Sequence, residues 1–381
     1  MKSPDSVLLI ATRQIGDVLL ATPLLRSMRL AWPAARIDTL VFKHTSGVLV
    51  GNPDCDAIIE SDEHPDSAGY RGLLRRIYRR YDLAVTTQAG DRGHLFAWLS
   101  ARRRVGLVPD LGWQSAWKRT LCSSWAVLDN VHTHTVVQNL ALAECMGIPS
   151  RYEVVAPDHD EDVLERLLPF AWQTTPYAVL HTHPMWRYKR WSDAGWRALL
   201  KYLAERGWRV VLTGGPGAGE RDYCAAMAAT RPNSTVNLAG VTSFSELAQL
   251  LRKARVYVGP DTVTTHLAAA CGTPTVALYG PSNPVKWGPW PANCAQSSPG
   301  TCMPSPWRMH GKPWQHVGNV LLLQGDDDCV PCRGEGCEHH KNSDSQCLLR
   351  MPASQVIAAL EYLLDTYPCA FSSSKPLRSV T

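Results

Sequence analysis

The residues best suited to chemistry lie where a short apolar strand, 256–258, breaks at Gly259-Pro260 and gives way to Asp261, Thr262 and His266. A helix of small residues starts there, with Leu-Ala-Ala-Ala at 267–270. In an α/β protein the crevice beyond the carboxyl end of a strand is where ligands sit. The next helix offers its first N–H groups there to a phosphate. A carboxylate, a hydroxyl and an imidazole within six positions make a donor and acceptor set suited to a sugar nucleotide. The same pattern also suits a helix cap at Asp261 or Thr262 with a packed core histidine beside it.

Other clusters carry weaker signals. His181 and His183 alternate, which puts both imidazoles on one strand face; no third ligand is evident, so lining a cleft suits them better than holding a metal. Cys329, Cys332, Cys337 and Cys347 place four thiols within nineteen residues, with His339 and His340 between them and little apolar filling. In a reducing cytosol that spacing suits a structural zinc or iron knuckle, with free thiols or disulfides as the other states. Cys294 and Cys302 flank a proline-rich loop and could pair or stay free. Asp326-Asp327-Asp328 reads as a solvated loop. The glycines from Gly214 to Gly219 lack the Lys-Ser/Thr ending of a P-loop and the spacing of a dinucleotide fingerprint, which argues against a nicotinamide enzyme.

Strand and helix must alternate to position these groups. Residues 7–10 read as a buried first strand, followed by a helix after Asp17 carrying Leu19, Leu20, Leu24, Leu25 and Met28. Strands at 35–42, 57–59 and 83–86 and a helix at 136–146 complete a first half. Residues 157–176, with an acidic helix at 160–168, read as the connection. Alternation resumes with strands at 177–180, 208–212, 256–258 and 275–278 and helices at 192–205 and 243–254, the latter opened by the capping box Ser243-Phe244-Ser245-Glu246. The expected fold is α/β: two facing doubly wound, Rossmann-like domains, 1–156 and 177–350. A Cys-rich insert at 329–347 and a final helix at 353–366, packing back on the first domain, complete it.

At 381 residues the chain is long enough for two ordinary domains. A composition 45% hydrophobic and 19% charged is that of a globular protein. No apolar run of spanning length occurs, and no signal-peptide h-region follows Lys2, so a cytoplasmic protein is expected. The net charge of +5 is too small to argue for nucleic acid. Its distribution is uneven: Arg71, Arg75, Arg76, Arg79 and Arg80, then 102–104, then Lys118 and Arg119 all lie in the first half. An anionic acceptor or leaflet would be drawn to such a surface, although a solvated helix face has the same pattern.

The segment from Arg13 through Gly16-Asp17 to Thr22-Pro23 resembles the opening motif of the bacterial heptosyltransferases of lipopolysaccharide core assembly. Lys189-Arg190-Trp191, Gly214-Gly215 with Glu220, Gly259-Pro260-Asp261-Thr262 with His266, and Gly280-Pro-Ser-Asn-Pro284 with Trp287 follow in that family's order. The resemblance implies an inverting, two-domain glycosyltransferase of GT-B type moving heptose from ADP-L-glycero-β-D-manno-heptose to the lipopolysaccharide inner core. By the same resemblance Asp17 is the general base, Lys189 the diphosphate contact, and Asp261, Thr262 and His266 the donor-binding group. Glu220 would hold a ribose hydroxyl or pair with Lys189, and Arg13, Arg71 and Arg75 would meet the anionic, lipid-linked acceptor at the inner membrane. The chemistry needs no cofactor, although magnesium could assist diphosphate binding. Val263 departs from the glycine usual after the Asp-Thr pair, and its Cβ keeps the backbone farther from a ligand. A protein O-heptosyltransferase and a non-catalytic nucleotide-sugar-binding module are the competing readings.

Overall fold

The computed structural model of the chain describes residues 3–110, 112–158, 163–292, 294 and 304–367. It divides into two compact units, and neither is one continuous segment. Unit 1 takes residues 1–163, 243–249 and 283–308, and unit 2 takes 164–242, 250–282 and 309–381. Residues 243–249 and 283–308, which the sequence reading assigns to the second domain, group with the first unit. Of the expected connection, residues 159–162 lie outside the described residues. The short helix Val163–Leu167 after them is anchored by buried Leu164 and Leu167 rather than being an exposed linker.

Unit 1 is built on six strands, β1 (Ser6–Ile10), β2 (Arg36–Phe42), β3 (Ala57–Ser61), β4 (Tyr81–Thr86), β5 (Ala101–Val108) and β6 (Ser124–Val127). They lie in the order β3-β2-β1-β4-β5-β6, and every pair is parallel. A parallel sheet is covered on both faces, so its inner strands are apolar throughout. Residues 7–10 accordingly leave at most 1% of their surface exposed. Val7 and Leu9 pack with Leu24, Leu25, Met28 and Leu142 on one face. Leu8 and Ile10 pack with Leu73, Ile77 and Phe96 on the other.

Strands β5 and β6 are not legible in the residues alone. The arginine run 102–104 masks the start of β5 as surface charge, although the same strand ends in buried Val105, Leu107 and Val108. Arg104 turns its guanidinium back onto the carbonyls of Leu121 and Ala101.

Unit 2 repeats the plan with β7 (Tyr177–His181), β8 (Arg209–Thr213), β9 (Thr235–Asn237), β10 (Val256–Pro260), β11 (Thr275–Tyr279), β12 (Gln315–Val317) and β13 (Val320–Gln324). The order is β12-β13-β11-β10-β7-β8-β9, all parallel except β12 against β13. The run 320–324, which reads as part of an insert, is instead a core strand paired with β11. Its apolar residues are buried on both faces, as an interior parallel strand requires. The expected capping box forms: Glu246 Oε2 accepts the Ser243 N–H at 2.7 Å, and the Glu246 N–H reaches Ser243 Oγ at 3.3 Å.

The final helix, Ala353–Thr366, packs within unit 2. Val356, Ala359, Leu360 and Leu363 join Leu199, Leu203, Leu321 and Leu323 in the unit 2 core. The Trp191 indole donates to the Met351 carbonyl at 2.8 Å and fixes the approach to that helix. Leu360→Ala should therefore destabilise unit 2 by about 2–5 kcal/mol, the cost of a cavity in a tight core. Urea unfolding followed by tryptophan fluorescence would read this directly, and an unchanged midpoint would contradict the packing described.

Candidate functional site

In both units the strand order reverses beside the first strand, between β1 and β4 and between β7 and β10. Crevices at such switch points, beyond the carboxyl ends of the strands, are where open α/β sheets bind ligands.

In unit 1 the chain leaves β1 into the helix Ile15–Leu19, anchored by buried Val18 and Leu19. The cap position belongs to Gln14, so Asp17 lies inside the first turn and is not the capping residue. Its carboxylate is mostly buried and pairs with Arg13 Nε at 3.6 Å. The two side chains line a small cavity of about 20 Å³ together with Thr87 after β4, Asn139, Lys286 and Trp287. All of these belong to unit 1. Arg71 and Arg75 are not brought here: they lie on the exposed side of the helix Ser67–Ile77 and are not among the lining residues. Sequence reasoning does not reach Lys286, because one lysine between Val285 and Trp287 carries no charge pattern.

In unit 2 Asp261 follows β10 and is the hub of a buried polar cluster. Lys189 Nζ lies 2.7 Å from its Oδ2, the Ser282 hydroxyl donates to the same oxygen at 2.6 Å, and the Tyr279 hydroxyl donates to Oδ1 at 3.3 Å. Burial alone would raise the Asp261 pKa, but the Lys189 charge and the hydrogen bonds from Lys189 and Ser282 outweigh it and hold the carboxyl below its usual range. His266 Nε2 is 3.8 Å from Oδ1. Burial lowers its pKa to about 4 against the pull of Asp261, so at neutral pH the imidazole is uncharged and Lys189 supplies the counter-charge. Thr262 occupies the cap position of the helix Val263–Ala270 without making a side-chain cap bond, and Val263 is half-buried in its first turn. Ser282 and Tyr279 complete the site without a signal of their own in the sequence. The first lies inside a recognisable motif and the second inside a strand, and neither position announces a role.

Glu220 does not pair with Lys189. Its carboxylate closes the glycine loop instead, accepting the Gly215 N–H at 2.6 Å. A Cβ at Gly215 would come within 3.0 Å of that carboxylate. His181 hydrogen-bonds Thr213 Oγ1 at 3.2 Å, and His183 stacks against Tyr223. Burial lowers both pKa values to about 4, helped by His183 for the first and by Arg190 for the second.

The four clustered cysteines lie near enough to interact: burial raises the thiol pKa of Cys329 and of Cys347, and the neighbouring thiols of the cluster add to both. Among the described residues no group of three or more His, Cys, Asp or Glu side chains is placed to hold a metal ion, which applies equally to His181 with His183. Cys329, Cys332 and Cys337 are exposed, whereas Cys347 is buried in the core and burial pushes its thiol up to about 12. Cys337 Sγ accepts the Gln346 N–H. Cys302 lies outside the described residues.

The buried carboxylate–lysine cluster and the Arg13–Asp17 pair thus each lie beside a switch point of a doubly wound, Rossmann-ordered sheet, the architecture of a GT-B fold. Residues 71–316 match glycosyltransferase family 9 (heptosyltransferase), and the chain belongs to that family. It is 28% identical to lipopolysaccharide heptosyltransferase 3 of Escherichia coli K12, over 92% of this chain and 96% of that protein. Among solved structures it resembles a family 9 glycosyltransferase from Veillonella parvula, with TM-score 0.74, 19% identity, and coverage of 96% of this chain and 99% of that one. It also resembles E. coli heptosyltransferase WaaC with ADP, with TM-score 0.67, 19% identity, and coverage of 94% and 99%.

The three buried histidines give a pH signature. Unfolded, each binds a proton near pH 6.5, but folded only near pH 4. Between those values the unfolded state holds more protons, so stability is intact above about pH 6.5 and falls as pH drops toward 4. The thermal midpoint should decline across that window, and His266→Gln should flatten the decline. A midpoint that does not change between pH 7 and 4.5 would refute the assignment.

Proposed function

We propose that the chain transfers heptose from ADP-L-glycero-β-D-manno-heptose to a hydroxyl of the lipopolysaccharide inner core, with inversion, by one in-line displacement. The observation that carries this reading is the Lys189–Asp261–Ser282 cluster at the unit 2 switch point, in a chain that belongs to the heptosyltransferase family. Asp261 holds the Lys189 ammonium in one place, where its positive charge offsets the charge that develops on the leaving diphosphate. His266 and Thr262 stand beside it as donor-side contacts, and Glu220 shapes the adjoining glycine loop.

Asp17 is the general base. Like any carboxylate it is a weak base toward a hydroxyl in the ground state. Proton transfer late in the displacement, when the acceptor hydroxyl has become acidic, suits a base of that strength. The proton goes from the acceptor hydroxyl to the Asp17 carboxylate as the new C–O bond forms and ADP departs.

Asp17→Asn should lower kcat at least about a hundredfold while leaving the KM for ADP-heptose nearly unchanged, as expected for loss of a proton acceptor. The assay is transfer of radiolabelled heptose to heptose-deficient core lipid, with the anomeric configuration of the product read by NMR. Full turnover by the variant would remove Asp17 from this role, and label appearing on polypeptide instead of lipid would replace the acceptor.

The acceptor's lipid anchor places the enzyme at the cytoplasmic face of the inner membrane. Among the described residues no helix is long and apolar enough to cross a membrane. Unit 1 has instead a basic and aromatic surface. The helices Ser67–Ile77, Asp91–Ser100 and Trp113–Leu121 pack in that order. They expose Arg71, Arg75 and Arg76 with Trp98 at 51% and Trp113 at 81%. Such a surface suits the interface of an anionic leaflet. The chain should sediment with phosphatidylglycerol vesicles and not with phosphatidylcholine vesicles, and Trp98→Ala with Trp113→Ala should weaken binding about tenfold. Equal binding to both lipids would rule out the electrostatic part.

A further inference from the structure

Among the described residues three lysines are buried or largely buried, and two of them have a carboxylate. Lys118, 1% exposed, pairs with Asp91 Oδ1 at 2.8 Å, and Lys189 pairs with Asp261 Oδ2 at 2.7 Å. Lys286 is different. It is 3% exposed, yet among the described residues it forms no ion pair. Its ammonium donates to the backbone carbonyl of Asp129 at 2.8 Å and lies 5.8 Å from the Trp287 ring centre. The Asp129 carboxylate is occupied within its own turn, accepting the Val131 N–H at 2.8 Å, the His132 N–H at 3.0 Å and the Thr133 hydroxyl at 2.8 Å.

An ammonium taken out of water without a counter-ion is costly. This one is nonetheless fixed from both sides of its backbone. Thr135 Oγ1 donates to the Lys286 carbonyl at 3.1 Å. Asn283 Nδ2 donates to the Val131 carbonyl at 2.8 Å, while its Oδ1 caps the Val285 N–H at 3.0 Å. The side chain lines the same small cavity as Asp17 and Arg13. Burial lowers its pKa to about 8, with Asp129 and Asp17 acting against the fall.

We propose, on the basis of the transferase reading above, that Lys286 and Arg13 bind an anionic oxygen group of the acceptor, a carboxylate or a phosphate, and thereby hold the neighbouring hydroxyl against Asp17. The substrate class is an acidic saccharide. Asp17 alone would repel such an acceptor, and the two cations offset that repulsion. The missing counter-ion of Lys286 then arrives with the substrate. The donor diphosphate has its own cation in Lys189, so the two anions are received by different residues.

The test is calorimetric binding of deacylated, heptose-deficient core oligosaccharide to the full chain. Three forms of the ligand are compared: native, carboxyl-reduced and dephosphorylated. For wild type, one of the two neutralised forms should bind about tenfold or more weakly than the native form, the worth of a charge-assisted hydrogen bond, and which one does so identifies the anion. Lys286→Met should bind the native form with that same loss and should no longer distinguish it from the neutralised form. ADP binding should be unchanged in the variant. Its thermal midpoint should not fall, since the charge removed had no carboxylate partner. Arg13→Met, at a half-exposed position, provides a further variant with the same expected loss of discrimination should Lys286→Met fail to fold.

A Lys286→Met protein that discriminates as wild type does, or one that loses ADP affinity instead, overturns the proposal, as does a wild type that binds all three forms alike. Heptose transfer by wild type alongside such a result leaves the transferase reading standing. Binding with the expected discrimination but without transfer leaves the anion site standing and removes the transferase reading.

Discussion

A parallel strand buried on both faces admits a polar side chain only where the fold supplies it with a partner, and this constraint organises both units. The run Val7-Leu8-Leu9-Ile10 and the run Val256-Tyr257-Val258 are sealed by helices above and below. Polar chemistry is therefore displaced to the residues that follow. Asp17 stands just past β1, and Asp261 stands just past β10. At both places the strand order reverses, so neighbouring loops part and leave a crevice. Polar side chains that do lie within strands are satisfied inside the protein: Tyr257 by Thr265 Oγ1 at 2.8 Å, and Asp38 by the Tyr81 hydroxyl at 2.7 Å.

Within those crevices the fold manages charge by burial and pairing. Asp261 is kept ionised in a low-dielectric place by one lysine and two hydroxyls, while His266 beside it stays neutral because its own desolvation exceeds the attraction of Asp261. One charge is thus presented in a fixed position, with the imidazole left as an uncharged hydrogen-bonding group. Unit 1 uses the opposite arrangement. Its cavity holds a carboxylate with a half-exposed arginine and a buried lysine whose hydrogen bond goes to a carbonyl. In unit 2 the lysine has a carboxylate beside it, whereas the buried lysine of unit 1 is held by a carbonyl.

Much of this is legible in the residues. The alternation of apolar runs with amphipathic helices specifies two doubly wound sheets, and the capping box at Ser243 and Glu246 forms as its spacing requires. Asp17, Lys189, Asp261, Thr262 and His266 are found through motifs, and the structure joins Lys189, Asp261 and His266 in one cluster. Strands β5 and β13 escape detection for opposite reasons. A run of arginines hides β5, whereas the long separation of β13 from its neighbour β11 gives it the character of an insert. Glu220 has a different partner from the expected one, because sequence spacing cannot show which way a carboxylate turns. The thiols of Cys329, Cys332, Cys337 and Cys347 have the spacing of a metal knuckle, but one is drawn into the core and three remain exposed.

The sequence by itself determined the local preferences: which runs must be buried, where helices begin, and that carboxylates follow strands β1 and β10, because these depend on neighbours a few positions away. Only the tertiary structure decided the partners. Lys189 and Asp261 are 72 positions apart, and Lys286 lies 157 positions from the carbonyl that holds it. Contacts of that separation follow from sheet order and from the return of residues 283–308 to unit 1, neither of which leaves a periodic trace in the chain. The charge state of a buried group follows the same rule, since it depends on how much water and which opposite charge the completed fold leaves beside it.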